Sequence, residues 1–101
     1  MSRRQLASVD DWFDAYALVY QALPDHADVA CPNCDHQTLQ LVFTGDSGTG
    51  VGWASFWCDH CLYGLHLSRV SIPDGGEILP MDARIEQRRS RIPDYTIIPP
   101  D

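Results

Sequence analysis

The sequence predicts a small α+β domain: three strands around a four-cysteine metal site, a helix before them, and a short helix with an extended tail after them. Three observations carry this. Four cysteines fall as two identically spaced pairs, C-P-N-C (Cys31, Cys34) and C-D-H-C (Cys58, Cys61). Three β-like runs lie between and after those pairs. An apolar stripe at helical spacing precedes them.

At 101 residues the chain fits one domain, and 45% apolar residues is ordinary for a globular protein. Within residues 1–101 the pattern separates an N-terminal helix over 8–23, a cysteine-bounded unit over 31–72, and a basic segment with a Pro-rich tail over 82–101. No run approaches the length of a membrane span.

Ser8 is placed to cap the helix, with Asp11 standing where a capping box carries Glu. Val9, Trp12, Phe13, Tyr16, Val19, Tyr20 and Leu23 then recur on one face, and Pro24 stops the run. This face either covers the chain's own sheet or offers Trp12, Tyr16 and Tyr20 to a partner.

The cysteine pattern is C-x2-C-x23-C-x2-C, with no cysteine left over. Each pair, on a tight turn, offers two thiolates to one ion, and two turns complete a tetrahedral shell. A disulfide framework needs an oxidising compartment, which nothing here indicates. A thioredoxin-like pair should open a helix, yet Pro32 and Asn33 are turn formers and C-D-H-C lies between β-like runs. Four thiolates therefore point to one Zn2+ per chain, held structurally because the shell is full; a single iron would use the same ligands. The deaminase signature, H-x-E with P-C-x-x-C, is absent. His36 and His60 flank the pairs and are read as surface residues, since the shell is complete without them. His26 and His66 are read as structural.

Three strand runs follow the first pair. In T-L-Q-L-V-F-T-G, Leu39, Leu41 and Phe43 alternate with Gln40 and Val42. A glycine-rich connection ends this run. Its G-D-S-G matches a nucleophile loop only superficially, and no Gly-Lys-Ser/Thr follows, so a hairpin connection is expected. V-G-W-A-S-F-W-C is apolar on both faces, which predicts a central strand covered on both sides. Y-G-L-H-L-S-R-V-S-I is the third run, ended by Pro73-Asp74-Gly75-Gly76.

Over residues 31–72 this order, with Cys31, Cys34, Cys58 and Cys61, resembles the zinc-ribbon family. The resemblance implies two knuckles clamping one end of a three-stranded antiparallel sheet around structural zinc. Ribbon knuckles often place Gly just after the second cysteine, where the chain turns left-handed. Here Asp35 and Leu62 stand there, and Gly64 comes two residues late. The family is functionally broad, so a fold and a metal are implied rather than a task.

The tail M-D-A-R-I-E-Q-R-R-S-R-I-P-D-Y predicts a short helix ending before Pro93, which would put Arg84, Arg88 and Arg91 on one face. Tyr95, Ile97 and Ile98 form an apolar tip before Pro99 and Pro100; it docks on the sheet or adds to a partner's edge.

The formal charge is −7, there is no lysine, and no Arg occurs between Gln5 and Arg69. Such a surface repels phosphate. No cofactor motif or nucleophile–base arrangement stands out. The expected role is a non-enzymatic protein–protein interaction or regulatory module. The alternative is nucleic-acid binding through Arg84–Arg91, set against a solvated arginine helix paired with the acidic body. Ser2-Arg3-Arg4 resembles a twin-arginine signal, but Asp10, Asp11 and Asp14 follow instead of an apolar region, so a cytoplasmic location is expected.

Overall fold

Alternating apolar residues and a glycine-bearing connection build an antiparallel hairpin from β1 (Leu39–Asp46) and β2 (Val51–Cys58). Its register runs from Leu39 opposite Cys58 to Asp46 opposite Val51. Gly50, at φ 69, makes the turn. The computed structural model describes residues 7–23, 25, 28–46, 48–73 and 75–98. Ser2-Arg3-Arg4, Pro24, His26, Ser47, Asp74, Pro99 and Pro100, all read above, lie outside the described residues, as does the side chain of Arg89.

β3 (Tyr63–Ser71) pairs antiparallel with β2. Their register shifts between Gly52 and Ala54, so Ser68 and Arg69 together stand opposite Trp53. Arg69 is left-handed there at φ 56, as the extra residue of a β-bulge can be.

The expected sheet of three strands is a sheet of five, ordered β4-β1-β2-β3-β5. β4 (Ile78–Pro80) joins β1 in parallel, with the Phe43 amide donating to the Glu77 carbonyl at 2.8 Å. β5 (Thr96–Ile97) joins β3 in parallel, with Thr96 N–H on the Leu62 carbonyl and Ile98 N–H on the Gly64 carbonyl. Both additions satisfy backbone groups that a three-stranded sheet leaves open at its edges. Strands of two and three residues are too short to show a period, which is why the sequence did not announce them.

Helix α1 (Val9–Ala22) starts at Ser8, whose hydroxyl accepts from the Asp11 amide at 3.2 Å. It lies on one sheet face. Trp12 and Tyr16 meet Phe56 edge-on at 5.8 and 5.7 Å, and Tyr20 meets Phe43 at 6.1 Å. Trp12, Leu39, Phe56 and Leu65 are the buried centre of this layer. Phe13, expected on the same stripe, is 43% exposed. It sits roughly a quarter-turn from the centre of the buried stripe, at the layer's rim.

The opposite face is covered by the chain's C-terminal part. Tyr95 stacks on the fully buried Trp57 with centroids 5.6 Å apart. Helix α2 (Ile85–Arg91) precedes this contact and sends Arg91 over the same indole. β2 is thus central, buried on both sides from Ala54 to Cys58, and the tail docks on its own sheet through Tyr95 and the buried Ile98, with Ile97 exposed. Among the described residues no helix is long and apolar enough to cross a membrane.

Candidate metal centre

The β1–β2 register sets the site. Leu39 opposite Cys58 means that the first cysteine pair, just before β1, and the second, which links β2 to β3, lie at the same end of the sheet. The four cysteine sulfurs all fall within 4.8 Å of one another. Cys31 and Cys61 Sγ are 3.7 Å apart, and Cys34 and Cys58 Sγ 3.6 Å. A tetrahedron with Zn–S near 2.3 Å has S···S edges of about 3.8 Å. The donor set and its spacing fit one tetrahedral thiophilic ion, held by Cys31, Cys34, Cys58 and Cys61.

The two knuckles repeat the same bonds. The Asn33 amide donates to Cys31 Sγ and the His60 amide to Cys58 Sγ, each at 3.4 Å. The Asp35 amide closes onto the Cys31 carbonyl and the Leu62 amide onto the Cys58 carbonyl, each at 2.9 Å. The residue that ends each turn is left-handed and redirects the chain out of the knuckle: Asp35 (φ 66) and Leu62 (φ 57). Gly64 serves another end: a Cβ there would meet the Phe56 carbonyl oxygen at 2.0 Å. It lets β3 pass close beside β2.

Two residues that sequence reasoning missed tie the knuckles to the fold. The Thr38 hydroxyl lies 3.0 Å from Cys58 Sγ, and the Thr38 carbonyl accepts from the Asp59 amide at 2.9 Å. Asn33 Oδ1 accepts from the Ala7 amide at 2.7 Å and from Trp12 Nε1 at 3.3 Å, joining α1 to the first knuckle. Only the strand register reveals Thr38, and only the helix's placement reveals Asn33.

The environment separates the thiols. Burial pushes Cys31 up, and Cys61 too. Burial also acts on Cys58, but the Thr38 hydroxyl and the amides of Cys61 and His60 outweigh it and lower that thiol to about 7. Cys31 and Cys58 are buried while Cys34 and Cys61 are half-buried. Loading a metal therefore displaces protons first of all from Cys31 and Cys61, the thiols that burial pushes up.

His36 and His60, one from each knuckle, stack with centroids 3.7 Å apart and remain exposed, outside the sulfur group. His66 is exposed on β3.

The remaining candidates fall elsewhere. Trp12 is fully buried, and Tyr16 and Tyr20 face the chain's own sheet. An anchor role for Trp12 would require α1 to leave that sheet. The three arginines do not line one helical face. Arg84 is the N-cap of α2, before its first turn. Arg88 donates to the Met81 carbonyl. Arg91 grips Glu77 through two nitrogens, one at 2.8 Å, and lies 5.6 Å from the Trp57 ring centre.

Fold and site define a small α+β protein with a four-cysteine cluster arranged to hold a metal ion. No protein-family model, curated protein or solved structure matches this chain significantly.

Proposed function

We propose that this is a non-enzymatic zinc-ribbon module that uses structural Zn2+ to hold its fold and acts by binding another protein. The observation that carries the metal part is the gathering of four sulfurs within 4.8 Å at one end of the sheet. A shell of four thiolates leaves no position for water or substrate, which suits a structural ion. The antiparallel β1–β3 core with both knuckles at one end supports the ribbon reading; β4 and β5 extend it.

The partner reading rests on the surface. Phe13 and Leu18 of α1 are 43% and 56% exposed, and Asp10, Asp11 and Asp14 are exposed around them. A basic protein segment with apolar side chains complements that surface, in keeping with the formal charge of −7 and a cytoplasmic setting. The nucleic-acid alternative through Arg84, Arg88 and Arg91 draws less support, because Arg91 is engaged by Glu77 and Trp57.

Fluorescence anisotropy with labelled single-stranded RNA and double-stranded DNA, at low and physiological salt, separates the two readings. The interaction module predicts no salt-dependent binding. Binding that weakens with salt and is reduced by Arg84→Glu would replace it with the nucleic-acid reading. Removing residues 84–101 outright is the poorer test, since it would uncover Trp57.

A further inference from the structure

The sheet face opposite α1 is not fully covered. Between it and the segment that follows α2 lies a hollow of about 220 Å³. Thr44, Trp53 and Ser55 form its floor, and Arg88, Ile92 and Asp94 its walls. It shares no residue with the metal ligands.

Its chemistry is mixed in a specific way. Trp53 and Ile92 supply its apolar lining, and the floor hydroxyls belong to buried residues, Thr44 at 3% and Ser55 at 5% exposure. Arg88 is the cation. It donates to the Met81 carbonyl, while its Nε is buried without a hydrogen-bond partner among the described residues. A guanidinium has five donors, and leaving a buried one unmet is costly. Asp94 lines the same hollow, yet the ion pair found among the described residues is Arg91–Glu77, not Arg88–Asp94.

We propose that this hollow is a binding site for a compact monocarboxylate that also carries a hydrogen-bond donor. Arg88 takes the carboxylate, as guanidinium groups do with two parallel bonds. Asp94 accepts from the ligand's hydroxyl or amine. A cavity of about 150 Å³ admits benzene, so this one has room for a single ring with its substituents. Asp94 and the acidic surface turn away phosphate and other multiply charged anions. Trp53 and Ile92 favour an apolar ring over a wholly polar acid. The site is independent of the zinc reading.

The test is isothermal titration calorimetry of the metal-loaded full chain with 4-hydroxybenzoate as probe and 4-hydroxybenzamide as its neutral counterpart. Wild type is expected to bind the acid with Kd of about 1 mM or tighter, a range usual for ligands this small. Arg88→Gln is expected to weaken it at least tenfold, and the amide to bind correspondingly less well. Should Arg88→Gln lose its melting transition, Arg88→Lys keeps the charge and is expected to weaken binding several-fold by losing the paired geometry. No saturation of wild type up to about 10 mM, equal binding by the variants, or equal binding of acid and amide would each overturn the proposal.

Discussion

Asp35 and Leu62 occupy equivalent places in the two knuckles. Each is left-handed, at φ 66 and 57, and the amide of each donates a hydrogen bond of 2.9 Å to the carbonyl of that knuckle's first cysteine, closing the turn. Asp tolerates this conformation; Leu does so poorly. The second knuckle therefore holds its shape against a local backbone preference.

Leu62→Gly should relieve that strain. A left-handed residue other than Gly costs about 1–2 kcal/mol, against roughly 0.5–1 kcal/mol for the extra freedom Gly brings to the unfolded chain. Leu62 is 41% exposed, so little packing is lost. The metal-loaded variant should gain about 0.5–1 kcal/mol, a rise of a few degrees in Tm. Leu62→Val, β-branched at the same φ, should lower Tm. A fall in Tm for Leu62→Gly would show that the side chain does more than its exposure suggests.

Thr38→Val keeps the volume and removes the hydroxyl 3.0 Å from Cys58 Sγ. Partners beyond the ligands themselves tune metal affinity by about 10–100-fold. Competition with a chelator should show a loss of that size in the variant, with the fold retained. Unchanged affinity would mean that the contact does not act on the sulfur's charge.

Asn33→Ala removes the acceptor shared by the Ala7 amide and the Trp12 indole. The expected cost is about 1–3 kcal/mol, since a half-buried donor is left unmet. Hydrogen exchange should accelerate first in α1. Asn33→Asp, which keeps the oxygen, should retain most of the protection.

Burial, with Tyr20 nearby, pushes the Tyr16 phenol up to about 12. A raised value means that the fold favours the protonated form. This contribution is complete below the ordinary value of about 10 and is lost as pH rises from there to about 12. Alkaline unfolding should begin in that window, and Tyr16→Phe should move its onset upward. Identical onsets would show that Tyr16 does not drive the transition.

How much of this was legible beforehand depended on the length of each signal. Four cysteines at fixed spacing define their ligand set without reference to the fold. The alternation from Leu39 to Phe43 and the two-faced apolar run from Val51 to Cys58 gave the hairpin and its central strand. α1 is equally visible, although Phe13 falls outside its buried stripe. The edge strands Ile78–Pro80 and Thr96–Ile97 were hidden because they exist only through pairing with β1 and β3. The arginines misled for a related reason. Spacing suggested a shared face, but α2 begins at Ile85, leaving Arg84 as its cap, and Glu77 claims Arg91 across the fold.

The most direct test of the central claim is metal content by mass spectrometry on protein purified without added metal, with melting curves before and after chelation. One zinc per chain is expected. Its removal should abolish cooperative melting, since structural zinc contributes on the order of 10–16 kcal/mol of apparent binding free energy in small zinc domains. Iron in place of zinc, or a metal-free chain that melts as cooperatively as the purified protein, would contradict it.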